Sequence, residues 1–202
     1  MSGNGQVLVA GGVFDTVGAD TVGSVFVWIR ESPAAGAWGE FTPLRNPAST
    51  TNPRVGKSVH LDYSGSVLVV GNFHDSSNMG SVCVYERSSA LSSFSFIQRF
   101  DPVSVSGTTP TAGQQTRVSA NGQTIVWGAP GDNSATGAWY RLTRQFMDGE
   151  FQWIMSQTKY VPTGATSGGT FGGRCLAISA DGHIMVGSQA TESSTSSLYL
   201  IG

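Results

Sequence analysis

The sequence predicts an all-β protein, a β-propeller or partial propeller of about four blades, each blade a four-stranded antiparallel meander. Three observations carry that expectation: a fourfold internal repeat, short β-rich runs bounded by turn residues, and the lack of any sustained 3.6-residue apolar period. The repeat is GNGQVLVAGGVFD from Gly3, YSGSVLVVGNFHD from Tyr63, ANGQTIVWGAPGD from Ala120 and ADGHIMVGSQATE from Ala180. Its turn glycines are Gly5, Gly65, Gly122 and Gly182, spaced by 60, 57 and 60 residues. A second glycine follows at Gly11, Gly71, Gly128 and Gly187. Another precedes the turn by nine residues at Gly56, Gly113 and Gly173, and a small residue opens a further apolar run at Gly23, Gly80, Gly137 and Ser197.

The second unit shows the elements in order. Strand one is expected over Lys57 to Tyr63, strand two over Val67 to Gly71, strand three over Ser81 to Glu86 and strand four over Ser93 to Arg99. Asn4-Gly5, Asn121-Gly122 and Asp181-Gly182 are dipeptides that favour type I′ hairpin turns between strands one and two. A meander of this kind cannot shelter both of its faces alone, so successive copies must stack, and radial stacking gives a propeller. The blades fall at about 1–54, 55–111, 112–170 and 171–202 of a single domain. They supply 3, 4, 4 and 3 strands, because no strand fits before Gly5 and no fourth strand follows the last unit. The expectation is a partial propeller whose open edges pair with a protein partner, with a second copy or with further sequence. A closed four-bladed ring is the alternative.

Composition removes several classes. Only 12% of residues are charged against about 25% in ordinary domains, and the net charge is -2, which argues against a broad nucleic-acid surface. The hydrophobic fraction of 39% is enough for a core. The longest apolar runs, such as Val67 to Val70, are too short to span a membrane as a helix. Met1 leads straight into Ser2-Gly3-Asn4-Gly5, so no secretion leader is expected in the chain as written. Cys83 and Cys175 read as free core thiols, and no Asn-x-Ser/Thr site occurs.

These motifs resemble the FG-GAP repeats that form the propeller of integrin α-subunits and of many surface proteins. The phenylalanine-glycine element looks like Phe171-Gly172-Gly173, with Val55-Gly56 and Ala112-Gly113 as degenerate copies. The glycine-alanine-proline element is intact at Gly128-Ala129-Pro130, and GSVFVW, GSVCVY and GAWYRL look like its third strand. The resemblance implies a non-enzymatic scaffold for protein or surface assembly on a virion, filament or cell surface. A carbohydrate-binding or carbohydrate-cleaving propeller is the alternative function. Many members of the family bind Ca²⁺ in the loops that correspond here to FDTVGADTVG, FHDSSNMG, PGDNSATG and ATESSTSS. Asp15, Asp75 and Asp132 each stand four residues after the second glycine, and only the first loop adds another carboxylate, Asp20. That is sparse for 6 to 8 oxygen ligands, so the preferred reading is a turn brace that accepts backbone N–H bonds, with no cofactor.

No catalytic constellation is found in the sequence. His60, His74 and His183 lie in different copies and read as surface or turn residues, without metal-ligand spacing. Gly56-Lys57-Ser58 sits at a strand start where a phosphate loop needs a helix, and the nucleophile-elbow, zinc-protease and paired-cysteine motifs are missing. Trp28, Tyr85 and Tyr140 in strand three, and Trp38, Phe94, Phe96, Phe151 and Trp153 around strand four, read as interblade packing. Trp127 departs from Val9, Val69 and Val186 and is a candidate contact near the axis. Arg54, Lys57, Arg117 and Arg174 are expected to pair with loop aspartates, or to form a modest anion-binding ring at the channel mouth.

Overall fold

A computed structural model describes residues 1–31, 34, 36–40, 43–45, 52–103, 105, 109–190 and 196–201. Among the described residues it contains four antiparallel sheets of three or four strands and one two-stranded hairpin. The first joins β1 (Val7–Gly12), β4 (Ser24–Ile29) and the short β5 (Gly39–Glu40), with β2 (Thr16–Val17) and β3 (Asp20–Thr21) forming a separate small hairpin. The second joins β6 (Val55–Leu61), β7 (Val67–Asn72), β8 (Ser81–Glu86) and β9 (Ser95–Phe100) in order. The third runs through β10 (Thr116–Val118), β11 (Thr124–Ala129), β12 (Ala138–Met147) and β13 (Glu150–Met155). The fourth has β14 (Leu176–Ile178), β15 (Met185–Ala190) and β16 (Ser196–Ile201).

The turn that opens each unit differs from the type I′ expectation. Among the described residues only the glycine of each pair has positive φ, at 70° in Gly5, 72° in Gly65, 67° in Gly122 and 81° in Gly182. The physical reason lies two residues earlier. Ser2 Oγ, Asp62 Oδ1, Ser119 Oγ and Ser179 Oγ accept the backbone N–H of Val7, Val67, Thr124 and Ile184 at 2.9–3.0 Å. That side-chain bond holds a wider four-residue loop, closed by Ser2 N–H to the Val7 carbonyl and its counterparts. The sequence signal is therefore Ser/Asp-x-Asn/Ser/Asp-Gly, longer than the dipeptide.

Neighbouring sheets share three apolar layers. Val7, Val25, Val27 and Ile29 of the first sheet meet Leu68, Val70, Cys83 and Tyr85 of the second. Val67, Val69, Val82 and Val84 on its other face meet Ile125, Trp127, Tyr140 and Leu142 of the third. Val126 and Trp139 of the third meet Phe171, Leu176 and Met185 beside the fourth. At the first two seams an aliphatic forward face meets a face bearing Tyr85 or Trp127 and Tyr140, whereas at the third the forward face itself carries Trp139. Strand alternation makes this possible, because one strand feeds two cores.

The glycines set how closely sheets approach. A Cβ on Gly11, Gly71 or Gly128 would lie 1.9, 1.9 or 2.0 Å from the carbonyl oxygen of Gly56, Gly113 or Gly172 in the next unit. Gly23, Gly80 and Gly137 form isolated parallel bridges to Val55, Ala112 and Phe171. Each seam thus clamps the phenylalanine-glycine position between two glycines of the preceding sheet. This early seam also explains why β6 starts at Val55 instead of Lys57: Val55 pairs with Asn72 across a bulge.

The fourth unit departs from the repeat. Gly187 pairs with Leu176 as Trp127 pairs with Thr116, so Gly187 occupies the position of Trp127 and not of Gly128. Its missing side chain makes room for Trp139, whose Cζ2 would be 1.8 Å from an added Cβ. The register then puts Ser188 at the Gly128 position, and Ser196, instead of Ser197, at the position of Gly137.

Candidate functional site

The loop aspartates sit at the ends of β1, β7 and β11, where the chain must reverse before strand three. In two of them the reversal runs through three consecutive left-handed residues: Ser76, Ser77 and Asn78 at φ 50°, 58° and 71°, and Asn133, Ser134 and Ala135 at 53°, 56° and 62°. Side-chain residues rarely adopt that region, so something must hold it. Asp75, fully buried, accepts the Ser76 N–H at 2.9 Å and the Ser81 hydroxyl at 2.7 Å, and Arg99 Nη1 lies 3.0 Å from its Oδ2. Asp132, also fully buried, accepts the Asn133 N–H at 2.6 Å and the Tyr140 hydroxyl at 2.7 Å, with Lys159 Nζ 2.9 Å from both oxygens. Asp15 accepts the Thr16 N–H at 3.1 Å and meets Arg45 at 3.0 Å, in a more exposed setting. The main-chain carbonyls of Asp15, Asp75 and Asp132 take the N–H of Gly23, Gly80 and Gly137 at 2.9 Å, which delivers those glycines to the seams.

The cations that meet these carboxylates are Arg45, Arg99 and Lys159. They come from segments after strand three, and the expected partners Arg54, Lys57, Arg117 and Arg174 do not appear among these ion pairs. In the three described loops Asp15, Asp75 and Asp132 each already face a side-chain cation. Asp20 lies exposed in the β2–β3 hairpin, and among the described residues no group of three or more His, Cys, Asp or Glu side chains converges. The fourth loop, 191–195, lies outside the described residues.

Trp127 is no surface contact. Counted from the turn glycines, its counterparts are Ala10 and Val70 instead of Val9 and Val69, and it lies fully buried between the second and third sheets. Its ring stacks on Tyr140 at 5.4 Å and 14°. Two further expectations are corrected by burial. Cys175 is exposed while Cys83 is buried, and burial pushes the Cys83 thiol up to about 12. His60 is no surface histidine: its Nδ1 accepts the Val118 N–H of the next sheet at 3.2 Å. Burial first, and Arg117 second, lower its pKa to about 4.

Two other clusters form. His60, Asp62 and Tyr63 line a cavity of about 360 Å³ with Met1, Val118 and Ile178. At the seam of the first two sheets, Arg54 lies 5.6 Å from the Phe14 ring and 5.9 Å from Phe73, and Lys57 lies 5.3 Å from Phe73. Arg54 Nη1 also approaches His74 Nε2 at 3.4 Å, and burial followed by that charge lowers the His74 pKa.

Among the described residues, the first and fourth sheets each carry exposed apolar side chains on one face. On the first sheet, Leu8 pairs with Trp28 and Ala10 with Phe26, on the face that the second sheet buries as Leu68, Val70, Cys83 and Tyr85. Leu8 is 38% exposed where Leu68 is 0%. On the fourth sheet, Leu200 pairs with Val186 and Leu198 with Ser188, on the forward face. Leu198 and Leu200 are 70% and 69% exposed, and Ile184 of that sheet is 46% exposed. Sequence reasoning expected open strand edges, whereas these exposed leucines lie on sheet faces.

No family model matches the chain, and no curated protein matches it in sequence. Solved structures do resemble it. Sqt1 from Chaetomium thermophilum superposes with a TM-score of 0.57 at 16% identity, over 96% of this chain and 41% of that one. TolB from Acinetobacter baumannii gives 0.44 at 12% identity, over 91% and 36%. The chain therefore spans about two fifths of the first and about a third of the second. Both are β-propellers. Successive antiparallel sheets stacked through glycine seams, arranged as they are in Sqt1, make the fold of this chain a β-propeller arc.

Proposed function

We propose that the chain is a non-enzymatic interaction scaffold, an FG-GAP-like propeller segment that mediates protein–protein or surface assembly in a virion, a filament or a cell surface. One observation supports this above the others: both ends of the arc present an apolar sheet face, Leu8 with Trp28 and Leu198 with Leu200, of the kind the interior of the same chain buries. The ionisable groups point the same way. Asp75 and Asp132 hold turns, Glu86 pairs with Arg144 at 2.8 Å, and these groups do the work of structure. No bound metal is required in this reading.

A glycan array and a glycosidase substrate panel test it, run beside an association assay on the chain and its Leu198→Glu variant. The expected result is no saturable glycan binding and no turnover, with association weakened by the variant. Saturable binding that Phe151→Ala abolishes would favour the carbohydrate-binding alternative, since Phe151 is exposed beside Phe146, 5.2 Å away.

A further inference from the structure

We propose that Arg54 and Lys57, at the seam of the first two sheets, form a binding site for an acidic peptide segment of a partner protein, with a carboxylate on the two cations and an apolar side chain against Phe14. The inference rests on the scaffold reading and gives the partner its chemistry. Arg54 lies over the rings of Phe14 and Phe73, and Lys57 over Phe73, so one aromatic ring gathers both positive charges. A ring face attracts a cation without cancelling its charge. Among the described residues neither side chain forms an ion pair, and the sequence holds no Asp or Glu between Glu40 and Asp62. Asp15 and Asp75, which follow Phe14 and His74, already meet Arg45 and Arg99. His74 approaches Arg54 Nη1 at 3.4 Å, and burial followed by that guanidinium lowers its pKa, so at neutral pH it adds no third charge.

The repeat shows that the fold does not require these cations. Arg54 stands two residues before the seam glycine Gly56, as Thr111 and Thr170 stand before Gly113 and Gly172, and all three have a left-handed backbone, at φ 51°, 52° and 48°. Lys57 follows Gly56 as Gln114 follows Gly113. Threonine and glutamine thus meet the same backbone requirement one unit later. Around those later seams Thr109, Thr111, Gln114 and Thr170 line a cleft of about 450 Å³ with one cation, Arg174. That is no continuous track of cations of the kind a nucleic acid needs along its phosphates. Two cations beside an exposed ring suit a carboxylate with an apolar neighbour instead: Phe14 is 74% exposed, Arg54 is half-buried and Lys57 exposed, and the planar guanidinium presents paired N–H groups that match a carboxylate.

Fluorescence anisotropy with the full chain tests this, using a short labelled peptide that alternates glutamate with phenylalanine and glycine, its glutamine counterpart, and a labelled single-stranded oligonucleotide. Saturable binding of the acidic peptide is expected, weakening as salt rises, with the glutamine peptide bound about 10-fold more weakly or worse. Arg54→Thr and Lys57→Gln copy the next unit of the repeat; each is expected to keep the wild-type melting temperature and to weaken the acidic peptide by about 10-fold or more. Arg54→Asn replaces Arg54→Thr if the latter fails to fold, since asparagine tolerates positive φ. Phe14→Ala is expected to weaken the peptide by about 5-fold through lost apolar contact. No saturable binding, equal binding of the glutamine peptide, an affinity unmoved by the Arg54 and Lys57 variants, or tighter binding of the oligonucleotide would each overturn the acidic-peptide inference. None of those results touches the scaffold reading, which fails separately through glycan binding or turnover.

Discussion

Replacing Gly71 by alanine tests the idea that glycine seams hold the arc together. The new Cβ would lie 1.9 Å from the Gly113 carbonyl oxygen and 2.6 Å from Ser58 Oγ, where ordinary contact begins at 3.4 Å. The oxygen cannot turn aside, because it belongs to backbone and accepts the Ser58 hydroxyl at 2.9 Å. Sheets two and three must then part by roughly 1.5 Å at their inner end, and a gap of that size forfeits a quarter to a half or more of each dispersion contact it opens. The same shift strains the N–H bonds of Thr111 and Ala112 to Asn78 and Met79, now 2.9 and 3.0 Å. Overpacking of about 1–3 kcal/mol and two weakened hydrogen bonds at about 0.5–1.5 kcal/mol each give a loss of roughly 2–6 kcal/mol. Urea unfolding followed by tryptophan fluorescence measures it. Gly36→Ala is the control, since its Cβ would meet nothing within 4 Å and its φ is ordinary. If Gly71→Ala and Gly36→Ala both stay within about 0.5 kcal/mol of wild type, the seam argument is wrong.

Three further outcomes are expected. Asp132→Asn leaves the Lys159 ammonium facing a neutral amide and should destabilise by about 3 kcal/mol, whereas Asp132→Asn combined with Lys159→Met should recover most of it; a double-mutant cycle by chemical denaturation checks the coupling. His60 titrates at about 4 when folded, below its ordinary 6.5, so the unfolded chain binds more protons between those values. Its contribution is therefore complete above pH 6.5 and is lost as pH falls through 4, a change of roughly 3 kcal/mol that should be absent in His60→Asn when midpoints are compared across pH. Native protein should react with a thiol reagent at Cys175 alone, and at Cys83 only after denaturation, as read by mass spectrometry of the labelled peptides.

The legible part of this protein was the part set by local chemistry. The spacing of Gly65, Gly122 and Gly182 located the strand reversals, and β7 and β8 fall within a residue of where the apolar alternation put them. Turn type was less accessible, because it depends on Ser2, Asp62, Ser119 and Ser179 reaching across the loop, a bond that the Asn-Gly dipeptide does not announce. Site chemistry was harder still. Asp75 and Asp132 could be picked out as recurring carboxylates, but Arg99 in β9 and Lys159 after β13 approach them from positions 24 and 27 residues further along the chain. Trp127 looked like an irregular ring available for contact until its burial between two sheets gave it a packing role.

By itself the sequence determined that the chain makes repeated antiparallel sheets, because strand alternation and turn glycines act over a few residues and recur in register. Tertiary structure alone decided which glycine serves which purpose, which cation meets Asp15, Asp75 and Asp132, and which apolar side chains are buried between sheets. The difference is one of range. Backbone conformation answers to adjacent residues, whereas close approach, ion pairing and burial depend on atoms brought together from distant units only when the sheets stack.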